Sequence, residues 1–91
     1  MSGDSLWRIH PKARLLWEEW PEEAVVFNAL SGQTHYLNAT AMAILKMLEL
    51  GPQSAKDLAD GLYAGQADRF LPKIEQVLAE FERLGLIEPV E

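Results

Sequence analysis

The sequence predicts an α+β domain in which a three-stranded antiparallel sheet is followed by three helices. Three observations carry this. Residues 14–37 alternate short β-forming runs with turn residues. From Asn38 the apolar period changes from two residues to 3.6, and that helical pattern recurs three times. Gly51-Pro52, Gly65 and Gly85 each follow one of these stretches, where a glycine best ends a helix. The chain has 91 residues, 48% of them apolar and 24% charged, which suits one small core and excludes disorder. A single domain over residues 1–91 is expected, with 1–6 frayed and a radius of gyration of about 12 Å.

The strands come first. Arg14-Leu-Leu-Trp17 and Ala24-Val-Val-Phe27 flank the turn Trp20-Pro21-Glu22-Glu23. Leu30-Ser31-Gly32-Gln33 is the next turn, with Gly32 free to take positive φ. Thr34-His-Tyr-Leu37 completes a meander, and Leu6-Trp-Arg-Ile9 is an extended lead-in. Asn38 caps the first helix, whose inward face is Ala41, Ile44, Leu45 and Leu48. Ser54 and Asp57 have the spacing of a capping box for the second, with Ala55, Leu58, Ala59 and Leu62 inward. Asp68 is the expected cap of the third, where Ile74, Val77, Leu78 and Phe81 repeat the spacing. Phe70, Leu71 and Leu84 widen that stripe. Proline is tolerated in the first turn of a helix, so Pro72 sets the start of this one between Asp68 and Leu71. Leu86-Ile87 packs back behind.

Composition excludes several classes of function. Net charge is −6, and neither half of the chain is basic. Nucleic-acid binders draw on clustered Lys and Arg, so no nucleic-acid partner is expected. No apolar run approaches the roughly 20 residues of a membrane helix, so no membrane partner is expected. There is no cysteine, which removes disulfides and thiol chemistry. The N-terminus lacks a basic start and an apolar core, so it is no secretory signal, and a cytoplasmic location is the default expectation.

The motifs that invite chemistry have plainer readings. Gly3-Asp4-Ser5-Leu6 matches the carrier-protein attachment site in its last three residues and a serine-hydrolase signature in all four. It lacks the mid-chain helix start or the strand, His and acid that those chemistries need. Asn38-Ala39-Thr40 is a glycosylation sequon without a secretion signal, and an N-cap explains its Asn. His10 and His35 show no metal-ligand spacing, so no metal or cofactor is expected. His35 shares a strand face with Leu37, which suits a packed, hydrogen-bonded histidine or one shaping a groove. Trp7, Trp17 and Trp20 read as packing residues, with Trp20 or Trp7 the candidates to anchor a partner. The second and third helices have a helix-turn-helix outline. Along the third, Arg69, Lys73 and Arg83 are balanced by Glu75, Glu80 and Glu82, which argues against DNA reading. No nucleophile–base set or phosphate loop is visible, so the chain is read as non-catalytic.

The run Val25 to Asn38, with Ser31-Gly-Gln-Thr-His-Tyr-Leu-Asn38 as its most specific part, continues through Ala41–Leu45, Gly51-Pro52, Leu58-Ala59 and Leu84–Val90. Together these resemble the PqqD-like family, the recognition element of ribosomally made, modified peptides. Within it they look like the PqqD-type peptide-chaperone branch of the HPr-rel-A system. The resemblance spans about Trp7 to Val90 and implies a winged-helix-like fold. It also implies capture of a leader peptide as an added strand on the third strand of the meander, against the third helix. The peptide then passes to a modifying enzyme.

Edge geometry in this chain permits such capture. The first and third strands of a meander are edges, and an edge offers unpaired N–H and C=O groups. The expected contacts are Gln33, Thr34, His35, Tyr36 and Leu37 on the strand, and Leu71, Lys73, Ile74, Val77, Leu78 and Phe81 on the helix. A wheel sets Val77 and Leu84 on one flank beside Lys73 and Glu80, and Leu71 and Leu78 toward the other beside Glu75. Either flank could face the strand. Lys73 is the candidate partner for an acidic leader residue. The alternatives are a winged-helix DNA module and a domain that self-associates, as a homodimer, through the same edge.

Overall fold

The computed structural model describes residues 5–90. Nine elements follow in order: β1 (Leu6–Ile9), β2 (Leu15–Trp20), β3 (Glu23–Asn28), β4 (Gln33–Asn38), α1 (Ala39–Glu49), β5 (Gln53–Ser54), α2 (Ala55–Leu62), α3 (Ala67–Arg83) and β6 (Ile87–Pro89). The class is α+β, as the sequence predicts, and the radius of gyration is 12.5 Å. The meander is present as the antiparallel sheet β2–β3–β4, with β3 in the middle. Ala24, Val26 and Asn28 point inward from β3 and are buried. Asn28, the last residue of β3, ties that end of the strand to the start of β2 and to the following turn, since its Oδ1 accepts from Arg14 N (3.2 Å) and Leu30 N (3.0 Å). Gly32 takes φ 76° in the β3–β4 turn.

One sheet was expected and a second is found. β1 is the middle strand of a small antiparallel sheet, with β5 on one side and β6 on the other. The lead-in Leu6–Ile9 is therefore a strand, and the expected fraying does not reach Leu6. Met1 to Asp4, which include the first half of the Gly-Asp-Ser-Leu motif, lie outside the described residues. The Leu86-Ile87 segment enters this sheet because α3 ends in a Schellman turn. Leu86 N donates to Phe81 O (3.0 Å), Gly85 N donates to Glu82 O (3.0 Å), and Gly85 takes φ 78°. Arg8 and Glu88 pair across β1 and β6, with Nε to Oε2 at 2.8 Å.

The helices fill the inner side. Asn38 Oδ1 accepts from Ala41 N (2.9 Å), as its N-cap position requires. Ser54 and Asp57 form the reciprocal capping box at 3.0 and 3.1 Å. Ile44, Leu45, Leu48, Leu58, Ile74, Leu78, Phe81, Leu86 and Ile87 meet in one core with Val26 and Leu37. No helix among the described residues is long and apolar enough to cross a membrane.

The start of α3 differs from expectation. Gln66 occupies the N-cap without a side-chain bond, and Asp68 lies inside the first turn. Pro72 is thus in the second turn, where its ring leaves the Asp68 carbonyl without an i+4 amide. The Tyr63 and Phe70 rings stack at 4.1 Å across the α2–α3 connection. That contact links the connection to the first turn of α3.

Candidate functional site

Among the described residues β4 is an edge strand, and the hydrogen-bond register fixes which of its backbone groups are free. Ala29 N donates to Arg14 O on the β2 side (2.8 Å), while Asn28 O accepts from Gly32 N on the β4 side (2.8 Å). Backbone groups alternate sides along a strand. Asn28, Val26 and Ala24 therefore turn their N–H and C=O toward β4, where they oppose Gln33, His35 and Leu37. By the same alternation Thr34 and Tyr36 present theirs to the open edge. The His35 amide is committed to the ladder.

Beside this edge lies a groove of about 410 Å³. Thr34 to Asn38 form its strand wall, Ala41 adds the first turn of α1, and Val77, Glu80, Phe81 and Leu84 form the α3 wall. The Val77–Leu84 flank of α3 thus faces the strand. Asn38, Ala41, Glu80 and Leu84 were not among the expected contacts. The wheel had already grouped Glu80 and Leu84 with Val77, and only the choice of flank was open.

The remaining expected contacts lie elsewhere. Ile74 and Leu78 are 0% and 1% exposed, so they are sealed in the core and out of reach of any ligand. Leu71 packs half-buried against that core, and Lys73 is exposed; neither lines the groove. Gln33 is exposed at the turn end of β4 and also lies outside the lining.

The groove is apolar at its floor and polar at its rim. Leu37 and Phe81 are buried beneath half-buried Val77 and Leu84. His35 Nε2 is buried without a hydrogen-bond partner among the described residues, so the expected hydrogen-bonded histidine is not realised at that atom there. At the rim Glu80 accepts from Arg83 Nε (3.2 Å). That bond, followed by the Arg83 charge, holds its carboxyl below the usual range. Tyr36 Oη donates to Glu23 Oε1 at 2.6 Å. This bond is the main reason the phenol is raised above 10.0, with smaller contributions from lost solvation and the Glu23 charge.

No family model and no curated protein matches the chain. Among solved structures it is similar to TbiB1 in complex with the TbiA(beta) leader peptide, with a TM-score of 0.72. The match covers 92% of this chain and 98% of that one at 17% identity. At that identity the likeness establishes a shared fold.

Proposed function

We propose that this protein is a non-catalytic peptide-binding adaptor of the PqqD type. It captures the leader segment of a ribosomally made precursor as a fourth strand beside β4 and presents it to a peptide-modifying enzyme. The observation that carries this reading is the open N–H and C=O pairs of Thr34 and Tyr36 beside an apolar groove walled by α3. The fold shared with a protein solved with a leader peptide supports it.

On this reading the groove favours an apolar client. A strand pairing with Thr34 and Tyr36 turns alternate side chains inward, opposite His35 and Leu37, onto Val77, Phe81 and Leu84. Those side chains are apolar. An acidic leader residue paired with Lys73, as the sequence suggests, has no place in this arrangement, because Lys73 is outside the groove.

An amide NMR titration of the labelled protein tests the reading. The ligand is the leader segment of a short precursor peptide encoded beside the gene. Shifts confined to β4, the first turn of α1 and residues 77–84 are expected. A folded protein with no shifts there would exclude this client. Concentration-dependent mass in solution would instead assign the edge to a second copy.

A further inference from the structure

The outer face of the β2–β3–β4 sheet, away from the helices, has an unusual polarity. An antiparallel sheet with one covered face ordinarily turns polar side chains to water. Here the outward rows run Leu16–Phe27–Thr34, Glu18–Val25–Tyr36 and Trp20–Glu23–Asn38. Leu16, Trp20, Phe27 and Tyr36 are 61%, 48%, 36% and 67% exposed, and Leu30 at the adjoining turn is 55% exposed. Single exposed apolar residues carry no meaning, but a cluster on one face marks an interaction surface. The charges on this face are lopsided. Glu18 and Glu23 stand in the rows and Glu22 in the β2–β3 turn, while Arg14 lies just ahead of β2 at the opposite end.

We propose that this face docks a partner protein whose contact patch is apolar and rimmed with lysine or arginine. Leu16, Trp20 and Phe27 are the anchors, large side chains that gain most from losing water. The acids at the Trp20 end set the orientation and speed the encounter. A second copy of the chain is the poorer occupant. Two-fold pairing offers the same acidic face to itself, on a chain of net charge −6. Tyr36 belongs both to this face and to the edge of the groove, so a docked partner and a bound strand would meet there. The face does not depend on the groove, and either assignment stands if the other falls.

The probe is a synthetic leucine–lysine peptide that folds as an amphipathic helix, an apolar stripe flanked by lysines. It is titrated into the labelled full chain, with the leucine–glutamate analogue as control. Shifts centred on Leu16, Trp20, Val25 and Phe27 are expected for the lysine peptide alone. Phe27→Ser should weaken this binding by at least about fivefold, the loss usual for an interface anchor. Glu18→Lys, whose side chain is solvent-exposed, should weaken it without touching the fold. Equal binding of the glutamate analogue would overturn the proposal, as would shifts spread over the whole surface or centred on α3. Self-association abolished by Phe27→Ser would overturn it too, by giving the face to a second copy.

Discussion

Replacing Tyr36 with proline separates strand addition from every other way of filling the groove. The Tyr36 amide faces the open edge, so its loss breaks no bond within the folded protein. In a complex it would leave one client carbonyl buried without a donor, at a cost of about 1–3 kcal/mol. At about 1.4 kcal/mol per decade, client affinity falls roughly 5- to 150-fold. Tyr36→Ala is the control, since it also removes the phenol bonded to Glu23 but keeps the amide. The neighbouring change His35→Pro should behave in the opposite way. Its amide pairs with Val26 in the ladder, and its loss strands a buried carbonyl at about 1–3 kcal/mol of stability. For a domain of this size that lowers the melting temperature by at least about 4 °C. Calorimetric titration with the leader peptide, paired with thermal melts, reads both effects. If Tyr36→Pro binds as well as Tyr36→Ala, or His35→Pro melts like the wild type, the deduced register is wrong.

Two further outcomes follow from the same geometry. Val77→Glu places a charge on the half-buried groove wall and should abolish leader binding while the protein remains folded. Leu78→Ala, one residue on in the core, should instead cost about 2–5 kcal/mol in denaturant melts and leave the affinity of the folded fraction unchanged. A spectrophotometric titration addresses the Glu23–Tyr36 bond. The folded phenol lies above its ordinary 10.0, so the bond's contribution to stability is fully present below that pH. It is lost as pH rises through the folded value. Glu23→Ala, which removes the acceptor, should bring the phenol back toward 10.0; an unchanged titration would show that the bond is not its cause.

Much of the fold was legible because local signals and tertiary demands agree. The strand residues of β2–β4, the cap at Asn38 and the capping box at Ser54 are each written within a few neighbouring residues. The second sheet was not, because its strands are 4, 2 and 3 residues long and come from three distant parts of the chain. No periodicity develops over so few residues, and the pairing is set by tertiary contact. Pro72 misled for a related reason. A proline rule written for isolated helices assumes that one lost bond is decisive. Here Phe70 stacks on Tyr63, and Ile74 buries completely, so packing holds a turn that the backbone alone would not favour.

The site divides along the same line. The open edge follows from strand order alone, since a three-stranded meander must leave its last strand unpaired on one side. The groove needs more, because something must keep α3 from closing onto that edge. α2 and the small sheet are the anchors of α3. α3 packs against α2 and, through its Schellman turn, is tied to β6, which is paired to β1. These attachments take up Ile74 and Leu78, and leave Val77 and Leu84 half-buried across the groove from β4. The apolar stripe on α3 is wide, and its Val77–Leu84 flank shares a groove with the open edge of β4. A peptide strand would cover both at once. β1, legible only as an extended lead-in, and β6 thus bear on the groove through α3 alone and contribute no residue to its lining.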